Sequence, residues 1–191
     1  DVFLAGRQFP VPATDFVGIS SDLSQIKTQA QASGAFYNPS GALGYHIVLK
    51  TNDTYDLYRV NNLQAAPNGC TNLQSQDGWG TWSIRSSNGQ TLLGNYAFPA
   101  NGLIFFDDNV WVNGAINTAR LTIAAGRFPD DSTTRRSITI NNDLTYTNYD
   151  GSDVIGLISQ KNINVGLFSE DDLRIDAAII AQNGRAGRYY Y

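Results

Sequence analysis

Residues 102–126 read GLIFFDDNVWVNGAINTARLTIAAG, and the reading of this stretch decides the fold. It holds three short apolar runs, at 103–106, 110–112 and 121–123, bounded by Asn, Asp or Gly. A helix needs apolar residues three and four apart, and a strand needs them two apart. Val110/Val112 and Leu121/Ile123 are two apart, so these runs are strands, with Asn113-Gly114 and Ala125-Gly126 as corners. The same grammar continues at Ile138/Ile140 before Asn141-Asn142, Leu157-Ile158, Ile163/Val165 before Gly166, Leu173/Ile175, and Ile179-Ile180 before Asn183-Gly184. Strands this short cannot each bury a face alone, whereas coils stacked on one another can. Residues 102–191 are therefore expected to form a parallel β-solenoid of β-helix type. An antiparallel sandwich is the competing reading, but its strands typically run to five or six residues. Asn after the apolar pairs, at Asn113, Asn141 and in the neighbourhood of Asn164, suits left-handed corners and stacked ladders.

Upstream, the pattern changes. Phe16, Ile19, Leu23, Ile26 and Ala30 form a single apolar stripe, predicting one amphipathic helix over about 15–33. Thr14 or Asp15 is placed to cap it and Gly34 to end it. Residues 45–50 and 54–60 alternate around Thr51-Asn52-Asp53, giving a β-hairpin at about 44–60. A polar loop covers 61–80, and 81–84 with 92–98 flank Ser87-Asn88-Gly89 as a second hairpin. The expected organisation is mainly β. Residues 1–98 form a small N-terminal α+β unit with its one amphipathic helix, and the C-terminal solenoid fills 102–191.

The chain has 191 residues, enough to bury about 70% of its extended surface without a disulfide scaffold. Thirteen basic and 17 acidic residues give a net charge of −4, with five and six in residues 1–100 and eight and eleven in the rest. Neither half is the basic surface that nucleic acid requires. Cys70 is alone, which excludes an intrachain disulfide and a cysteine zinc site. There is no signal peptide and no run of 18 apolar residues. The chain holds no methionine and begins at Asp1. It is expected to be a processed or excised ectodomain at the cell surface, touching a membrane only through an anchor upstream.

His46 is the only histidine, and no Gly-x-Ser-x-Gly elbow, phosphate loop or dinucleotide fingerprint accompanies it. No catalytic residue is assigned and the expectation is a non-enzyme. Carboxylates gather at Asp107-Asp108, Asp130-Asp131, Asp150/Asp153 and 170–172. Asp150 and Asp153 share one loop and are the candidate metal ligands, for Ca²⁺, although calcium wants six to eight oxygens and adjacent acids mostly serve as turn caps. No other cofactor is implied. Trp79, Trp82 and Tyr96 offer amphipathic rings for glycans or protein partners. Arg185 and Arg188, with Arg135-Arg136 and Tyr189, Tyr190 and Tyr191, are the one basic-aromatic concentration.

Three blocks carry a family resemblance. Residues 102–126, then VIGLISQKNINVG at 154–166, then LRIDAAIIAQNG at 173–184, resemble the β-solenoid region of bacterial type IV pilus-associated proteins of the minor-pilin-like or pilus-assembly kind. The resemblance spans roughly 102–187 and implies a non-enzymatic structural or adhesive module. Its partners would be other pilus or envelope subunits, and glycans. Two alternatives belong to other classes. One is a polysaccharide-active β-helix enzyme using Asp150, Asp153 and either a nearby arginine or Lys161. The other is a DNA-capturing pilus component using the arginine groups, which the acidic net charge makes the poorer reading.

Overall fold

The computed structural model describes residues 18–67 and 81–188. One helix, α1 (Gly18–Ser33), is followed by the strands β1 (Ala35–Tyr37), β2 (Gly44–Lys50), β3 (Thr54–Val60), β4 (Gln90–Ala97), β5 (Leu103–Phe106) and β6 (Val110–Ile116). Then come β7 (Arg120–Ala125), β8 (Ile138–Tyr146), β9 (Val154–Ser159), β10 (Ile163–Val165), β11 (Ala178–Ala181) and β12 (Ala186–Gly187). They build two sheets. The first is all parallel, in the order β1-β5-β7-β9-β11. The second is mixed, in the order β12-β10-β8-β6-β2-β3-β4, antiparallel at β2-β3 and β3-β4.

The expected fold class, a C-terminal parallel β-solenoid beside a separate N-terminal α+β unit, is corrected by this topology. The molecule has one parallel and one mixed sheet, and both run through the two halves of the chain. β1 from the front half pairs with β5, and β2 pairs with β6 from Tyr45↔Val110 to Leu49↔Gly114. The physical reason is a matched apolar row. Tyr45, Ile47 and Leu49 face the same side as Val110 and Val112, so pairing the strands extends one buried surface. The second hairpin is corrected too. β4 pairs with β3 from Thr54↔Ala97 to Val60↔Gln90, and Ile84 makes only an isolated bridge to Leu63. Nor do the asparagines form a ladder: Asn164 lies opposite Thr139, while Asn113 reaches His46.

The core lies between the sheets. Ile104, Phe106, Leu121, Ile123, Ile155 and Leu157 of the parallel sheet meet Ile47, Leu57, Val110, Val112, Ile138 and Ile140 of the mixed sheet. Each such side chain contributes about 1.5–3 kcal/mol when fully buried. The rows are continuous across strands: Ile104 pairs with Ile123, Ile123 with Leu157, and Leu157 with Ile179. A second, smaller core lies on the outer face of the parallel sheet. There Leu23 and Ala30 of α1 pack on Phe105 and Ala124, with Ile26, Phe36 and Phe128 around them. Gly34 N–H bonds Ala30 O at 3.0 Å and ends the helix, and a Cβ on Gly34 would stand 2.5 Å from Leu103 O. Phe16, Thr14 and Asp15 lie outside the described residues.

Lys27 pins the helix to the sheet. Its Nζ lies 3.3 Å from Asp107 Oδ2 and 5.5, 5.9 and 6.0 Å from the ring centres of Phe36, Phe105 and Phe128. An ammonium over aromatic faces, beside a shielded carboxylate, is favoured twice over. Among the described residues no helix is long and apolar enough to cross a membrane.

Candidate ligand-binding rim

Three chain corners converge at one edge of the molecule. The first is the β2–β3 turn, where Asp53 takes φ +61° and Thr54 Oγ1 donates to Asn52 Oδ1 at 2.8 Å. The second is the link from β4 to β5. Phe98 N–H bonds Asp53 O at 2.8 Å, and Gly102 N–H bonds Pro99 O at 2.8 Å. Gly102 has φ +67°, and a Cβ there would come within 2.2 Å of Arg120 O, so only glycine lets these two corners meet. The third is the β6–β7 link, where Thr118 has φ +55°. Between them lies an open hollow of about 440 Å³ lined by Asp53, Phe98, Asn101, Thr118 and Arg120, among others. Arg120 is exposed, and its Nη2 donates to Gly151 O at 3.0 Å.

Behind the hollow stands an aromatic column. Phe98 stacks on Tyr55 at 6.2 Å and 12°, Tyr96 lies 5.8 Å from the same ring, and Tyr37 meets Phe106 at 4.9 Å. Tyr37 and Tyr55 share a hydroxyl hydrogen bond of 2.6 Å. Burial, and then that bond, pushes the Tyr37 phenol well above its usual pKa; burial also raises Tyr55. Both hydroxyls stay neutral and act as structural donors and acceptors. Tyr96 is 41% exposed and carries the column to the surface.

The residues singled out from sequence fall at scattered places. Trp79, Cys70 and Tyr189, Tyr190 and Tyr191 lie outside the described residues. Trp82 has φ +56°, and its carbonyl accepts Trp111 Nε1–H at 2.6 Å, which locks the 3% exposed Trp111 against the outer face of the mixed sheet. Arg185 precedes β12 and Arg188 follows it, so the two sit at opposite ends of that strand. Arg188 Nη2 is held by Gly166 O at 2.9 Å and by Ser169 Oγ. Arg135 is held bidentately by Asp130 at 2.9 and 2.8 Å, which keeps Asp130 ionised below its usual range.

Asp153 is buried and its carboxylate is occupied. Oδ1 accepts Ala119 N–H at 3.1 Å, and Oδ2 accepts Thr147 N–H at 3.0 Å and Asn148 N–H at 2.7 Å. Burial works to raise its pKa, but these N–H donors together lower it. Asp150 is exposed and accepts Ser152 N–H at 2.9 Å. Both acids serve as turn caps for the β8–β9 corner. Among the described residues no three His, Cys, Asp or Glu side chains gather to hold a metal ion. Lys161 lies beyond the far end of β9 from this corner, about 20 Å away at the usual rise per residue, whereas Arg120 Nη2 donates to Gly151 O within it.

His46 is 4% exposed, 5.6 Å from Tyr58 in a stacked arrangement, with Nδ1 2.6 Å from Gln90 Oε1 and Nε2 2.5 Å from Asn113 Oδ1. Both ring nitrogens are engaged in these bonds.

Sequence reasoning missed Phe98, Asp53, Thr118 and Arg120. Thr51-Asn52-Asp53 is legible as a turn, but nothing local says that it shares one hollow with two other corners.

No protein-family model matches the chain, and no curated protein or solved structure does either. These comparisons lend no support to the resemblance to type IV pilus-associated proteins.

Proposed function

We propose that this chain is a non-enzymatic binding module that takes a glycan at the rim between Asp53, Phe98 and Arg120, in a structural or adhesive role at the cell surface. The carrying observation is the hollow itself. Phe98, stacked on the aromatic column through Tyr55, lines it together with a carboxylate, a threonine hydroxyl and a guanidinium on one open surface. A sugar ring presents an apolar C–H face and a rim of hydroxyls, and this combination suits both. The two-sheet frame supports the reading because it holds three corners at fixed separation, lowering the entropy cost of capture. The pilus-associated assignment rests on the sequence blocks alone.

The test is a glycan array followed by calorimetry on the best ligand. Arg120→Ala should weaken binding about tenfold, the worth of one charge-assisted contact, with melting temperature little changed. An array with no bound glycan, or binding that ignores this substitution, overturns the reading.

A further inference from the structure

Neighbouring strands of the parallel sheet, β5, β7, β9 and β11, each begin at a corner on the same edge of the molecule, at 98–102, 117–119, 147–153 and 176–177. Parallel pairing stacks these corners in that order, about 4.8 Å from one to the next. The hollow lies at the first two. Side chains carry the same edge on to the third and fourth. Arg120 Nη2 donates to Gly151 O at 3.0 Å, and Thr147 Oγ1 and Asn148 Nδ2 donate to Asn117 Oδ1 at 3.0 and 2.9 Å. Tyr146 N–H donates to Asp176 Oδ2 at 3.0 Å.

At the third corner stands a side chain that the hollow does not use. Tyr149 is 62% exposed, yet it is fixed. Its hydroxyl donates to Asp176 Oδ2 at 2.5 Å, its ring lies 6.1 Å from that of Tyr146, and the Arg174 guanidinium carbon sits 4.9 Å from its ring centre. Arg174 is itself held, with Nε 3.2 Å from Asp176 Oδ2. Leaving a ring in water forgoes hydrophobic stabilisation, and fixing its rotamer costs entropy, so neither serves folding. Both serve capture, because a ring already held in place offers contact area without a further ordering cost. Tyr149 lies one to two strand spacings from the hollow, about 5–10 Å along the edge. Between them the exposed Asn117, Thr118 and Thr147 present amide and hydroxyl groups. Ring, polar groups, ring is the order in which a chain of sugars presents its C–H faces and hydroxyls. We propose that Tyr149 is a second stacking subsite, and that the ligand is a linear oligosaccharide laid along the corners from the hollow to Tyr149. This rests on the reading of the hollow as a glycan site.

Calorimetry with the glycan selected on the array, and with its two-sugar and four-sugar fragments, tests this. Affinity should rise about tenfold from the two-sugar to the four-sugar fragment, as the second ring contact is gained. Tyr149→Ala should remove that gain and leave binding of the two-sugar fragment unchanged, which a misfolded chain cannot do. Tyr149→Phe keeps the ring and should keep the gain. Arg120→Ala should weaken both fragments. An affinity that is flat with chain length, a four-sugar fragment indifferent to Tyr149→Ala, or a Tyr149→Ala chain that loses the two-sugar fragment as well overturns the second subsite, while the response to Arg120→Ala still judges the hollow. A chain that binds no glycan overturns both readings together.

Discussion

His46 sets a pH limit on the fold through one buried ring. Burial opposes its protonation more than the bonds to Asn113 and Gln90 favour it, so its folded pKa lies below 6.5. The unfolded chain carries an ordinary histidine and takes up the proton first as pH falls. The contribution is therefore complete above pH 6.5 and is lost as pH drops from 6.5 toward the folded value. Melting temperature should fall as pH drops below about 6.5, and His46→Gln should flatten that slope. The lowered carboxylates, Asp56, Asp130, Asp153 and Asp176, act in a separate window below about pH 4. Asp153 differs from Asp150 in the same loop. Asp153→Ala strands the N–H groups of Ala119, Thr147 and Asn148 and should cost about 1–3 kcal/mol in chemical denaturation. Asp150→Ala, on an exposed group, should leave the denaturation midpoint in place. Composition made the acids visible as turn formers. Only burial tells which of the two holds a corner together.

At the scale of elements, α1 is held by one small face. Leu23 is fully buried against Phe105 and Ala124, so Leu23→Ala should cost about 2–5 kcal/mol, read as a lower melting temperature. If the helix docks as a unit, proteolysis within Gly18–Ser33 should also quicken. The stripe Leu23, Ile26 and Ala30 was legible because helical spacing is local. The strands were legible for the same reason: alternation at 110–112, 121–123, 138–140 and 163–165 marks them without any partner in view. Their partners were not legible. The sequence pattern equally allows 90–97 to pair with 81–84 or with 54–60, and the choice of β3 rests on the aromatic contacts of Tyr96 and Phe98 with Tyr55.

For the whole molecule, the sharing of both sheets by front and back halves makes a thermodynamic demand. β2, β3 and β4 cannot unfold without exposing Val110 and Val112, so thermal unfolding should show one cooperative transition. Two resolved transitions in calorimetry would instead mean that residues 1–98 fold apart from the rest. Position along a core row should grade the cost of truncation. Ile123→Ala, at the middle, should lose about 2–5 kcal/mol, and Ile179→Ala, at the open end, clearly less. From sequence alone came the β content, the corners, the single helix, and the exclusion of cysteine scaffolds and paired-histidine chemistry, because these depend on residue type and on spacings of two to four. The tertiary structure alone decided that the hairpin joins the mixed sheet, that three corners form one hollow, and that β11 is the last strand of the parallel sheet among the described residues. Those outcomes depend on which apolar rows meet across separations of 60 residues or more, such as Tyr45 with Val110, and no local pattern encodes that choice.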